Sequence, residues 1–86
     1  MVSKLVTIVN ETGIHARPAT ELSKFCSGFN EKITFICDGN GVDPKSIILL
    51  LAAGIKKGKE IEVQVEGENE EKVCDEIISF ITSLNG

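Results

Sequence analysis

The chain contains 86 residues with a net charge of −4, and 42% of its residues are hydrophobic. Chains shorter than about 100 residues rarely hold two cores, so the length predicts one domain over residues 1–86 and excludes a large enclosed active-site cavity. The composition excludes a disordered or collagen-like chain.

The charge is distributed unevenly along the sequence. Residues 1–59 carry eight Lys or Arg against five Asp or Glu, whereas residues 60–86 carry one against eight. The overall acidity argues against nucleic-acid binding, and the basic excess of the first part favours acidic protein partners. No signal-peptide pattern and no stretch of roughly 20 apolar residues is present, so we expect no membrane insertion and a cytoplasmic location.

Three segments show the patterns of β-strands. Val2–Val9 is an apolar run ended by the turn residues Asn10–Gly13, and Ile33–Cys37 is a second run ended by a turn at residues 38–41. In Glu60–Glu66 apolar and polar residues alternate strictly, which predicts three aliphatic side chains buried on one face. These strands, with a short one expected after the second turn, predict an antiparallel sheet that is wet on one face.

Three helices are predicted between and after the strands. The first has Pro18 in its first turn, where proline is tolerated, and an apolar stripe formed by Leu22, Phe25, Cys26 and Phe29. A short helix over residues 47–53 follows Ser46 as its N-cap, and a last helix with a similar stripe follows an Asn69 cap. The order β, α, β, β, α, β, α predicts a two-layer α+β sandwich with all helices on one face of the sheet.

The three cysteines show no pattern of a redox or metal site. Cys26, Cys37 and Cys74 are an odd number, and their spacing matches neither a CxxC pair nor a zinc cluster. They are expected to be small buried hydrophobic residues. Because the chain has a single histidine, a site with two histidine ligands is also excluded within one chain. We expect neither a metal nor a cofactor.

The only histidine, His15, stands directly before the first predicted helix. The N–H groups of a helix N-terminus lack intrahelical acceptors, and the helix dipole adds positive potential there, so this position favours an anion. Arg17 adds a forked set of donors suited to phosphoryl oxygens. These residues alone leave two interpretations open: His15 accepts a phosphoryl group, or it merely caps the helix.

The segment Gly13–Thr20, which reads GIHARPAT, resembles the active-site signature of the HPr family, the histidine-containing phosphocarriers of the phosphoenolpyruvate-dependent sugar phosphotransferase system. The likeness covers essentially the whole chain and includes Lys45, Ser46 and Ile47, which resemble the regulatory-serine signature of the family. The resemblance implies a single HPr-like domain with the open-faced β-sandwich order βαββαβα, a four-stranded antiparallel sheet covered on one face by three helices.

The resemblance also implies the chemistry and the partners. His15 would accept a phosphoryl group on Nδ1 from phospho-enzyme I and pass it to enzyme IIA domains for sugar uptake, with Arg17 as the phosphate clamp. This makes the chain a monomeric carrier with a phosphohistidine intermediate, not a free-standing turnover enzyme. Ser46 would be the substrate of an HPr kinase/phosphorylase, and a catabolite-control transcription factor would be a further partner.

The docking surface is expected around the short helix. Its five consecutive large apolar residues cannot all face the core, because successive helical side chains are about 100° apart. Leu50 is the expected core residue, and Lys45 is expected on the basic rim of the exposed patch. Following the family, the partner contacts are Thr20, Lys24, Ile47, Ile48 and Leu51.

Two alternatives stay open: a regulatory HPr-like interaction module, and a phosphocarrier of a nitrogen-related branch that moves no sugar. The sequence departs from the common family pattern at Leu49, where many relatives have a small or polar residue, and at Pro44. Both departures affect the shape of the docking patch and not the chemistry of His15. The sugar is not encoded here, because in this family specificity resides in the downstream enzyme II proteins.

Overall fold

A four-stranded antiparallel sheet with the strand order β1-β4-β2-β3 forms one layer of the protein. The computed structural model describes residues 1–84. Its elements are β1 (Val2–Thr7), α1 (Ala16–Ser27), β2 (Lys32–Cys37), β3 (Asn40–Val42), α2 (Ile47–Ala52), β4 (Glu60–Glu66) and α3 (Glu70–Thr82). This is the predicted order, and the open-faced sandwich fold is confirmed.

The central strand β4 is buried as its alternation predicts. Its three aliphatic side chains, Ile61, Val63 and Val65, are almost completely buried, and it pairs with β1 on one side and β2 on the other. Strand β1 ends at Thr7, two residues before the predicted end. Ile8 nevertheless stays attached to the turn before β4, because its N–H donates to the Lys59 carbonyl (2.9 Å) and its carbonyl accepts from the Gly58 N–H (2.7 Å).

The helices α1 and α3 cover one face of the sheet with the predicted stripes. Leu22 and Cys26 of α1 and Ile77 and Ile81 of α3 are fully buried. Asn69 is the N-cap residue of α3, as predicted, but among the described residues its side chain forms no cap hydrogen bond. Its backbone N–H donates to the Glu31 carboxylate across 3.2 Å, which ties the start of α3 to the residue before β2.

The short helix α2 divides its apolar residues between the core and the surface, as expected. Leu50 is fully buried, whereas Ile48 is 77% exposed and Ile47, Leu49 and Leu51 are also exposed. Ser46 is the N-cap, with its Oγ accepting the Leu49 N–H across 3.3 Å. Gly54 follows the helix with φ = +61°, which ends it. Within residues 1–84 no helix has the length and apolar character to cross a membrane.

The three cysteines are free and buried, which confirms their structural interpretation. Burial raises the pKa of the Cys26 thiol from its ordinary 9.0 to about 12, and burial also raises the pKa of Cys74.

We therefore expect the thiols of the folded chain to resist an aromatic disulfide reagent at pH 8 and all three to react in denaturant. The stability should also fall as the pH rises above about 9, because the Cys26 thiol of the unfolded chain loses its proton before that of the folded chain. Rapid reaction of a thiol of the native chain with the reagent would contradict the burial of the cysteines. Denaturant unfolding at a series of pH values measures the second effect.

Candidate functional site

The loop before α1 is held in place by its own turn and by the segment before β4. The Gly13 N–H donates to the Asn10 carbonyl (3.1 Å), and the Asn10 amide Nδ2 donates back to the Gly13 carbonyl (2.5 Å). The Ile14 N–H donates to the Ile55 carbonyl across 2.8 Å. These bonds fix the backbone on the N-terminal side of His15.

His15 is the N-cap residue of α1, with an extended backbone at φ = −113° and ψ = −162°. Its carbonyl accepts the Ala19 N–H across 2.7 Å, which is the first bond of the helix. The imidazole is exposed, and within the described part of the chain it makes no cap hydrogen bond. Capping by the side chain, the bland interpretation of this histidine, is therefore wrong for this structure.

The first turn of α1 presents donors beside the imidazole. The backbone N–H groups of Ala16 and Arg17 have no acceptor inside the helix, and Pro18 contributes no N–H. The Thr20 hydroxyl donates to the Ala16 carbonyl across 2.8 Å, so it is committed to the helix backbone. An anion bound at this helix start would therefore meet two amides and the positive end of the helix dipole.

Arg17 lies on the surface in the first turn of α1, two residues after His15. Its side chain is 86% exposed, and its Nε lies 3.7 Å from the Glu21 carboxylate, one helical turn away. An exposed ion pair of this kind contributes little to stability, so it holds the guanidinium loosely. The guanidinium is therefore largely open to solvent.

The structure brings most of the predicted partner contacts together in a groove between α1 and α2. Thr20 and Lys24 line it from α1, and Ile47 and Ile48 line it from α2. The Ser23 hydroxyl joins the two walls by donating to the Lys45 carbonyl across 3.0 Å. Leu51 is exposed one turn beyond Ile47 on α2 and extends the apolar surface of that helix.

Lys45 does not provide the expected basic rim. Its Nζ donates to the Phe29 carbonyl (2.8 Å) and to the Glu31 carbonyl (2.9 Å), which close the connection after α1. The ammonium is thereby bound to backbone carbonyls, although Lys45 still lines the groove. Lys24, the other lysine of this groove, is exposed.

Sequence reasoning missed three residues that shape the site. Asn10 and Ile55 hold the loop before His15, and Glu21 holds Arg17. Glu21 was detectable from its spacing of four residues from Arg17 on a helix. The bond to the Ile55 carbonyl joins residues 41 positions apart, and no local pattern reveals such a contact.

Solved structures show what this architecture resembles. HPr from Thermoanaerobacter tengcongensis matches with a TM-score of 0.91 and 31% identity over 96% of this chain and 93% of that one. The histidine-containing phosphocarrier protein of Mycoplasma matches with a TM-score of 0.86 and 32% identity over 93% and 91% of the two chains. The Bacillus subtilis catabolite repression protein Crh, an intertwined dimer, matches with a TM-score of 0.75 and 27% identity over 95% and 94%.

The fold and the exposed histidine thus define a small carrier-type α+β domain. The family model described as "PTS HPr component phosphorylation site" matches residues 2–83. The chain therefore belongs to the HPr family, the phosphocarriers of the phosphotransferase system.

Proposed function

We propose that this chain carries a phosphoryl group on Nδ1 of His15, which it accepts from phospho-enzyme I and passes to an enzyme IIA domain for sugar uptake. The observation that carries the proposal is the exposed His15 at the N-terminus of α1, whose side chain makes no cap hydrogen bond within residues 1–84. The first amides of that helix lack intrahelical acceptors. Family membership supplies the class of reaction.

The residues around His15 suit the charge of the transferred group. In each transfer a new N–P bond forms at the acceptor as the bond between phosphorus and the donor breaks, and negative charge stays on the phosphoryl oxygens. The Ala16 and Arg17 amides donate to these oxygens, and the Arg17 guanidinium adds a charged fork. The chain supplies the nucleophile and this electrostatic stabilisation, while its partners supply the enclosed site.

Incubation with phosphoenolpyruvate and enzyme I tests the proposal. It should give one phosphoryl group per chain, acid-labile and base-stable, in the peptide that contains His15, and an enzyme IIA domain should remove it. A chain that stays unlabelled beside an active enzyme I, or a label that is stable to acid, contradicts the proposal.

Arg17→Ala should slow phosphoryl acceptance by roughly 10- to 100-fold, because one charged donor to the phosphoryl oxygens is lost. The rate for Arg17→Lys should lie between those of the wild type and Arg17→Ala, because lysine keeps the positive charge but lacks the paired donors of the guanidinium. Quenched time courses of labelling by enzyme I measure these rates. Glu21→Gln is the matched control, since it frees Arg17 from its ion pair and should preserve the rate. An unchanged rate in Arg17→Ala would remove this residue from the mechanism.

We further propose that both partners dock on the groove between α1 and α2, one after the other, on a monomeric chain. The described chain has 4829 Å² of accessible surface, and a standard interface of about 800 Å² would cover roughly a sixth of it. An apolar centre at Ile47, Ile48 and Leu51 with the basic Lys24 at its side fits acidic partners that bind quickly and leave.

Ile48→Ser should weaken docking while leaving the fold intact. The side chain is 77% exposed, so the free energy of unfolding should change by no more than about 0.5 kcal/mol. The apparent affinity for enzyme I should fall about tenfold, since an apolar contact at the centre of the interface is lost. Leu5→Ser is the matched control, because Leu5 is 62% exposed and lies on β1. Equal behaviour of the two variants would place the interface elsewhere.

Regulation at Ser46 is a second part of the proposal. Its half-buried hydroxyl lies beside Ile47 at the edge of the groove. A phosphate there adds about 1.5 to 2 negative charges, which oppose an acidic partner. An HPr kinase/phosphorylase should label wild type with ATP and fail to label Ser46→Ala. A catabolite-control transcription factor should then prefer the labelled chain, and equal binding of both forms would contradict this role.

A regulatory interaction module is the alternative function, and the structural similarity to the catabolite repression protein Crh supports it. By resemblance to the family, modules specialised in that way lack the active-site histidine, whereas this chain has His15 together with Arg17. A chain that binds the transcription factor but takes no label from enzyme I would support the module. Acceptance from an enzyme I of a nitrogen-related system, in preference to that of a sugar system, would support the nitrogen branch.

A further inference from the structure

A second groove lies between the C-terminal end of α1 and the length of α3, away from His15. Its floor is formed by Phe25, Phe29 and Phe80, three of the four phenylalanines of the chain. Phe25 stacks on Phe80 with ring centroids 4.3 Å apart, and it meets Phe29 edge to face at 5.3 Å. All three rings are half-buried, whereas Phe35 is fully buried in the core.

The groove is elongated and its rim is acidic. Its lining residues along α3 extend from Glu71 to the C-cap residue Ser83, which corresponds to about 18 Å at 1.5 Å per residue. Glu71, Asp75 and Glu76 line it against one lysine, Lys72. The carboxylates lie on the first half of α3 and Phe80 lies on its second half, whereas Phe25 belongs to α1 and Phe29 follows that helix.

We propose that this aromatic groove docks an amphipathic helix of a protein partner that carries Lys or Arg beside a large apolar anchor. The groove accommodates about three turns of helix. The anchor would lie on the phenylalanine rings, and a basic side chain would face Glu76. Amphipathic helices bind apolar grooves in this way.

The charges identify which carboxylate meets the partner. Lys4 donates to Asp75 (2.5 Å) and to Glu71 (3.2 Å), so these two acids are already paired with β1. Glu76 is exposed and is the carboxylate of the rim that we assign to the partner. The acidic rim disfavours anionic lipid and nucleic acid, and it disfavours a symmetric second copy, whose own rim would face it.

The groove operates independently of His15. Phe25 follows His15 by ten residues, which is about 15 Å along α1. A helix seated on the aromatic groove therefore leaves the first turn of α1 open to enzyme I. The inference does not depend on the proposed phosphoryl transfer.

Fluorescence titration with a short synthetic Lys/Leu helix that contains one tryptophan tests the proposal. The chain contains neither Trp nor Tyr, so the signal comes from the peptide alone. Glu76→Lys should weaken binding about fivefold relative to Glu68→Lys, which makes the same change of charge at an exposed position outside the groove. Phe29→Ala should weaken it about tenfold, with circular dichroism confirming that this variant is folded.

Amide chemical-shift changes locate the bound peptide. They should centre on residues 25–29 and on α3, and saturating peptide should leave labelling of His15 by enzyme I unchanged. Equal affinities of Glu76→Lys and Glu68→Lys would overturn the proposal. So would shifts centred on α2, or competition between the peptide and enzyme I.

Discussion

His15→Ala is expected to take no phosphoryl group from enzyme I and to remain as stable as the wild type. The chain has no other histidine to accept the group. The imidazole is exposed and, within residues 1–84, forms no cap hydrogen bond, so its removal deletes neither packing nor a cap. The free energy of unfolding should therefore change by less than about 0.5 kcal/mol. Labelling and denaturant unfolding of the same preparation measure both effects.

His15→Asn separates the chemistry of the site from helix capping. Asparagine is a preferred N-cap residue, so this variant should be more stable than His15→Ala by about 0.5 to 1 kcal/mol. It should be equally unable to take a label. A label that persists in either variant would show another acceptor group and would refute the assignment of His15.

The periodic patterns of the sequence predicted which face of a helix or strand is buried. The alternation of Glu60–Glu66 identified a strand with one buried face, and the stripe of α1 identified Leu22 and Cys26 as core residues. The run at residues 47–51 required some exposed apolar side chains, and Leu50 is the one that is buried. In each case burial follows from geometry within a single element.

Long side chains and loop contacts were not predictable in the same way. Lys45 was expected at the surface of the docking patch, but its ammonium reaches two backbone carbonyls at the end of the α1 connection. Asn69 is the predicted N-cap of α3, but its side chain makes no cap hydrogen bond among the described residues, and its backbone N–H donates to Glu31. Both outcomes depend on residues that are distant in sequence and close only in the folded chain.

Only part of the candidate site could be predicted from the sequence. The position of His15 before Pro18 predicted the start of a helix, and the structure has His15 as the N-cap of α1. The binding of an anion there remains a prediction. The residues alone did not separate capping from phosphoryl acceptance, because the direction of the imidazole is a property of the fold. The support under the loop, from Asn10 and Ile55, is likewise visible only in three dimensions.

Gly13→Ala should destabilise the chain by roughly 2 to 4 kcal/mol, and it should also impair phosphoryl transfer. Gly13 has φ = +68°, and a Cβ there would lie 2.5 Å from the Ile55 carbonyl oxygen and 2.7 Å from Lys56 Cα. An L-residue at positive φ costs about 1 to 2 kcal/mol. The contacts with backbone atoms add to this, because backbone cannot rotate aside as a side chain can.

Gly39→Ala is the matched control for the conformational part of that cost. Gly39 also has a positive φ, +81°, but a Cβ there would meet no atom of the described chain within 4 Å. It should lose only about 1 to 2 kcal/mol, and the difference between the two variants measures the clash with residues 55 and 56. Equal losses in denaturant unfolding would show that the loop relaxes freely.

The functional effect of Gly13→Ala follows from the same clash. Relief of the contact must move residues 13 and 14 away from residue 55, which strains the bond between the Ile14 N–H and the Ile55 carbonyl. His15 is the next residue, so the imidazole shifts relative to the amides of α1. A displacement of about 1 Å can cost 100-fold in a transfer that depends on alignment. Because of this displacement, the rate of labelling by enzyme I should fall by about 10- to 100-fold in folded Gly13→Ala. Gly39→Ala should accept the phosphoryl group at the wild-type rate.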